Sequence, residues 1–281
     1  MHNLFIFNSD LRLRDNLALY NAAKNGESLT VLYIFNQKKW VDHNESDLKI
    51  AFQLKHLKEL SKGLNTLNIS LKLIEAEGIE DESKRIIEFV ETHKIGEVFV
   101  NKDYGFNETQ RDLDLDLELT KLNKRLNIYD SSIFDPNSIK TQSNTFFKVF
   151  TPYSRAFRSK LITSKLQSVG LPKKQKTKIF ESDEIQNLEL DATRLNILEA
   201  YKAGEENALS KLEEFIDHKI LNYKENRDFP AIEGTSSLSP YLSSGILSSS
   251  QCLFKVFEKF SENEIGVKTW VTEIIWREFY K

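Results

Sequence analysis

The sequence predicts an α/β fold: a doubly wound, five-stranded parallel sheet followed by an all-helical region. Three observations point to it. Short β-rich runs alternate with helical patterns up to about residue 130. The apolar residues of those helices fall on one face, as packing against a sheet requires. Beyond about residue 195 the strand pattern stops and only the helical period continues.

Taken in order, the run 4–7 follows no basic segment, so it reads as a strand rather than an export signal. Further strands are expected at 29–35, 69–74, 97–100 and 127–133, separated by helices at 16–24, 46–65, 79–93 and 107–124. Leu57, Leu60 and Leu64 line one face of the second helix, and Ile79, Ile86, Ile87 and Val90 that of the third. Strand-helix alternation of this kind builds a parallel sheet. A segment containing Pro136, Pro152 and Pro172 reads as a connector. Helices are then expected at 195–203, 205–219, 238–242, 249–260 and 267–280, with no internal repeat. The domain boundaries expected are 1–134, 135–194 and 195–281.

The chain has 281 residues and a formal net charge of −3. That charge is unevenly spread. Between Pro136 and Lys178 lie ten Lys or Arg (Lys140, Lys148, Arg155, Arg158, Lys160, Lys165, Lys173, Lys174, Lys176, Lys178) and no acidic residue. Such a block is a solvated connector or the edge of a phosphate-binding surface. Phe146, Phe147, Phe150, Tyr153 and Phe157 interleave with it and read as anchors onto a core. The single cysteine, Cys252, excludes an intramolecular disulfide and suits a buried role in a reducing cytoplasm. No apolar run is long enough to span a bilayer. The ten glycines form no GxGxxG or phosphate-binding loop, the five histidines have no metal-ligand spacing, and no nucleophile elbow occurs.

Two segments concentrate chemistry. In the last helix Trp270, Glu273 and Arg277 recur at i, i+3 and i+7, with Trp276 on their flank. That stripe suits a flat, charged ligand, although on its residues alone an amphipathic surface helix is the plainer reading. Upstream, Gly234-Thr235-Ser236-Ser237-Leu238-Ser239 offers hydroxyl and amide donors for a diphosphate, or else a Ser-rich helix cap. His43, after the second strand, and Asn107-Glu108, after the fourth, fall at the carboxyl edge of the sheet, where ligands bind such folds. As bare residues they read as loop polar groups, Asn107 being a natural helix cap.

The chain resembles the DNA photolyase and cryptochrome family. The resemblance rests on Tyr223-x-x-x-Arg227-Asp-Phe-Pro230, Gly234-Thr-Ser-x-Leu-Ser239-x-x-Leu242-x-x-Gly245 and Trp270-x-x-Glu273-x-x-Trp276-Arg277-Glu-Phe279-Tyr280. Asp10-Leu-Arg12-x-x-Asp15-Asn16 and Lys148-Val-Phe-Thr151-Pro152-Tyr153 extend it over nearly the whole chain. It implies an antenna domain, a connector and the first part of a helical FAD-binding domain. The implied activity is light-driven repair of cyclobutane pyrimidine dimers in damaged DNA by electron transfer from reduced FAD, in a monomer. Tyr223, Thr235, Ser236, Ser237, Leu238, Ser239, Trp270 and Arg277 would then contact FAD. Glu273 and Trp276 would meet the flipped-out dimer, with Arg227, Lys281 and the basic block near DNA phosphates. His43, Asn107 and Glu108 match the places where folate-carrying members hold a 5,10-methenyltetrahydrofolate antenna.

Departures from the family pattern carry expectations of their own. Ile6-Phe7-Asn8 replaces an aromatic-Phe-Arg opening, which removes a charge and is expected to loosen the first domain. Ser249-Ser250 replaces Pro-Arg after Gly245 and is expected to weaken DNA affinity. Family members continue past the last motif, so the chain as given is expected to be a truncated form, with Ile274, Ile275 and Phe279 exposed and FAD held poorly. A cryptochrome-like light sensor, or a remnant whose α/β domain alone binds a folate or nucleotide, are the alternatives.

Overall fold

The computed structural model describes residues 1–164, 166 and 168–281; Lys165, one of the ten basic residues, lies outside the described residues, as does Gln167. The chain divides into two compact units, 1–131 with 169–204 and 244–246, and 132–168 with 205–243 and 247–281. The stretch expected as a free-standing connector is therefore shared between them.

In the first unit five strands, β1 (His2–Ile6), β2 (Ser28–Phe35), β3 (Ser70–Glu75), β4 (Glu97–Asn101) and β5 (Arg125–Tyr129), pair in the order β3-β2-β1-β4-β5. All pairings are parallel, Leu4 of β1 standing between Thr30 and Val98. Side chains alternate across the sheet. Phe5, Val31 and Phe99 face a core shared with α1 (Leu17–Asn25) and α3 (Asp47–Thr66), into which Leu57, Leu60 and Leu64 project as expected. Leu4, Ile6, Leu32 and Val100 face the opposite core, built with α4 (Ile79–Thr92) and α5 (Phe106–Lys121). Helices on both faces with reversal at β1 and β4 make the sheet doubly wound.

A short helix, α2 (Gln37–Asp42), follows β2; it buries no residue and so left no periodic signal. The segment 169–204 runs along the exposed edge of β3. Leu71 N–H donates to Ser182 Oγ (3.1 Å), Asp183 N–H to the Leu71 carbonyl (2.9 Å) and Leu73 N–H to Asp183 Oδ2 (2.8 Å). This covers an edge that would otherwise invite foreign strands. Here the chain forms α7 (Ala192–Glu199).

The second unit is helical: α6 (Phe150–Thr163), α8 (Glu205–His218), α9 (Tyr223–Asn226), α10 (Ser239–Ser243), α11 (Ser249–Lys259) and α12 (Ile265–Phe279). Helix α6 lay hidden in the supposed connector because Pro152 and unbroken positive charge argued against a helix. Pro152 is its third residue, in the first turn, where a missing N–H costs no helical bond. Gly266 lets α12 start backbone to backbone: a Cβ there would collide with the carbonyls of Ile220 and Leu221. Ile274 and Ile275, expected to be bare, are 3% and 0% exposed, and Phe279 packs against Phe150 and Tyr153 of α6. Cys252 is fully buried, and burial pushes its thiol up to about 12.

Candidate functional site

In the second unit the residues expected to meet a flavin or a dimer come from α9, the turn 234–239, α10 and α12. Gly234 packs against Asn226 so closely that a Cβ would clash with it, which brings the turn onto the end of α9. Ser237 takes a left-handed conformation at φ +50°. Among the described residues, the hydroxyls of Thr235, Ser236, Ser237 and Ser239 have no hydrogen-bond partner, and Thr235, Ser237 and Ser239 are exposed. Leu238 points inward at 1% exposure and anchors the turn. The result is a row of unoccupied donors held by one apolar side chain and one close-packed glycine.

Arg277 is exposed and donates through Nη2 to the Leu242 carbonyl (2.7 Å), at the carboxyl end of α10. Glu273 is half-buried, and its Oε1 accepts from Arg227 Nη1 at 2.5 Å, while Arg227 also lies 5.4 Å from the Tyr223 ring centroid. Burial raises the Tyr223 phenol, and the Glu273 and Asp228 charges add to this against the Arg227 cation. Trp276 stacks on Phe150 with ring centroids 3.5 Å apart and planes 6° apart, and on Tyr280 at 5.5 Å and 17°.

Three of the expected site residues have partners within this unit. Trp270, expected on the ligand stripe, is 3% exposed and packs against Phe215 at 5.4 Å. Arg227, expected near phosphates, is committed to Glu273. Lys281, expected likewise, pairs with Glu278 at 2.9 Å. Ser249 and Ser250 are buried at the start of α11, where Ser248 and Gln251 form a reciprocal cap; the position of the absent arginine faces inward.

In the first unit His43, Asn107 and Glu108 lie beyond the carboxyl ends of β2 and β4. His43 ends α2 and is exposed; one turn earlier, Lys39 places its ammonium 2.5 Å from Glu108 Oε1. Burial raises the Glu108 carboxyl, but the Lys39 hydrogen bond and charge outweigh it and hold it below the usual range. Lys39 was not foreseen, although its spacing from His43 was a usable signal. Asn107 is the second residue of α5, not its cap, which is Gly105.

Beneath this edge lies a buried polar network. Asn101 donates to Asp10 Oδ2 (2.5 Å) and Asn16 Oδ1 (2.7 Å), and Arg12 bonds the carbonyls of Asp15 and Gly245. Gly245, at φ +66°, fits against Ser9 and Asp10 where no Cβ has room. Arg111, 5% exposed, reaches Asp112 (2.6 Å), Glu82 (3.3 Å) and Asn8 Oδ1 (2.9 Å). A positive charge thus reaches position 8 from α5. Among the described residues no acidic, histidine or cysteine cluster could hold a metal ion, and no helix is long and apolar enough to cross a membrane.

The DNA photolyase family model matches residues 3–173. The chain belongs to the DNA photolyase family. Among its relatives, the deoxyribodipyrimidine photo-lyase of Buchnera aphidicola from Acyrthosiphon pisum is 32% identical over 99% of this chain and 58% of its own length. That of Escherichia coli K12 is 30% identical over 99% of this chain and 59% of its own. A class III photolyase from Agrobacterium tumefaciens shares the fold with a TM-score of 0.84 at 24% identity, covering 99% of this chain and 58% of that one. A Synechocystis cryptochrome does so at 0.81 and 18%, over 100% and 60%. The chain therefore spans about three-fifths of the length of these photolyase-family relatives.

Proposed function

We propose that this chain carries the antenna domain and the first part of the flavin site of a photolyase that repairs cyclobutane pyrimidine dimers in DNA. The observation that carries the reading is the side-by-side presentation of Glu273, held by Arg227, and the flat Trp276 on one helix of a family member. When bound, reduced FAD supplies the light-excited electron for dimer splitting. The protein's own part is to bind and orient.

The donor chemistry of 235–239 fits a diphosphate: four free hydroxyls on a turn rigidly backed by Leu238 and Gly234. Arg277, using one Nη on the Leu242 carbonyl, keeps the rest of its guanidinium exposed for an anion nearby. Arg227 fixes the rotamer of Glu273 so that the other carboxylate oxygen is left to accept from a pyrimidine N–H. A flipped-out dimer already has weakened stacking, which lowers the cost of leaving the duplex.

A folate antenna at His43, Asn107 and Glu108 is part of the same reading. Glu108, kept ionised by Lys39, is suited to accept from the amino and ring N–H groups of a pterin. A related Sulfolobus tokodaii photolyase is described with two FAD molecules, so a flavin is the competing occupant.

The test is blue-light-dependent loss of cyclobutane dimers from an irradiated oligothymidylate, using purified chain supplied with reduced FAD. Repair abolished by Glu273→Ala supports the reading; repair that is light-independent or that survives Glu273→Ala counts against it.

A further inference from the structure

Trp276 is the flat group to which the proposed function assigns a pyrimidine, yet one face of its indole is already occupied. Phe150 lies parallel to it at a centroid separation of 3.5 Å, the distance a stacked base would take. Tyr280 lies near-parallel to the same indole at 5.5 Å and 17°.

We infer that Phe150 is a stand-in for the substrate base, holding the stacking face of Trp276 until a pyrimidine displaces it. This rests on the reading of Trp276 as a base contact. The position of Phe150 suits such an exchange. It is the first residue of α6, a helix start with no side-chain cap, and it follows Phe146 and Val149, which are 57% and 60% exposed. An uncapped first turn opens at little cost. The rest of α6 is fixed independently. Phe157 is 1% exposed, and Arg158 pairs with Glu262 at 2.9 Å and donates to Thr272 Oγ1 at 2.9 Å. The helix can therefore stay docked while its first residue swings away. The same ring also keeps water from the indole face in the free protein, so the base exchanges one apolar contact for another.

The experiment compares the 281-residue chain with its Phe150→Ala, Phe150→Leu and Trp276→Ala variants. Folding is checked by far-ultraviolet circular dichroism. Acrylamide quenching of tryptophan fluorescence reports access to the indole, and anisotropy of a labelled oligothymidylate, with and without a cyclobutane dimer, reports binding. The expected result is greater quenching in Phe150→Ala and affinity for the dimer tighter by about two- to tenfold, the equivalent of one aromatic pair. Phe150→Leu should fall between. Unchanged or weaker binding by a folded Phe150→Leu or Phe150→Ala, with binding still lost in Trp276→Ala, would overturn the displacement while leaving the reading of Trp276 intact. If the parent chain and Trp276→Ala bind alike, or neither binds, that reading itself falls and the displacement falls with it.

Discussion

The two compact units treat their polar groups in opposite ways. In the α/β unit two polar networks beneath the sheet edge are largely buried and spent on one another: Asp10, Asn16 and Asn101 in one knot, Arg111, Glu82, Asp112 and the half-buried Asn8 in another. In the helical unit the hydroxyls of 235–239 are left without partners, and the nearby aromatics cover one another. The lesson concerns where a ligand can act. A satisfied buried network supplies rigidity, whereas unspent donors on a rigid turn are available to an anion.

The comparison is broken most severely at Arg111. Replacing it by Ala leaves Glu82 and Asp112 buried without their counter-charge, and the expected loss is about 3–5 kcal/mol. Urea unfolding of Arg111→Ala followed by circular dichroism checks this; a loss below about 1 kcal/mol would show that the network is ornamental.

The next effect is acid sensitivity. His56 is 1% exposed, with Nε2 donating to the Leu11 carbonyl (2.6 Å) and Nδ1 accepting from Gly204 N–H (3.1 Å). Burial lowers it from 6.5 to about 4. Its contribution to stability is full above pH 6.5. It is lost as the pH falls toward 4, where the unfolded chain takes up a proton that the folded one refuses. The loss is about 3 kcal/mol. His56→Gln should flatten that part of the stability profile; a parallel profile would remove His56 as the cause.

Smallest in stability is the effect of emptying the donor turn. Thr235→Ala with Ser237→Ala, both exposed and unpartnered, should move unfolding by less than about 0.5 kcal/mol. The same pair should weaken a diphosphate ligand about tenfold, measured by titration. A large stability loss would mean that these hydroxyls serve the fold.

The sheet was legible because five apolar runs and their intervening helices kept clean periods, and α3 buries Leu57, Leu60 and Leu64 as its spacing implied. Helix α6 was not legible, since a run of lysines and arginines with a proline looks like a linker until its aromatic face meets α12. The burial of Trp270 was not legible either, because a helical stripe spans buried and half-buried positions alike, and its partner Phe215 lies 55 residues away in sequence. The loss of charge at Asn8 looked damaging because Arg111 is 103 residues distant in the chain. Local periodicity carries elements; it does not carry pairings of this range.

The turn 234–239, with Arg277, is the proposed diphosphate cradle for the flavin. Its most direct test is a comparison of FAD and riboflavin binding to the 281-residue chain by flavin fluorescence, repeated with the Thr235→Ala, Ser237→Ala, Arg277→Ala triple variant. The account predicts that FAD binds more tightly than riboflavin, and that the advantage collapses in the triple variant while riboflavin binding is unchanged. Equal affinity for the two flavins, or an FAD preference that survives the triple substitution, would contradict it.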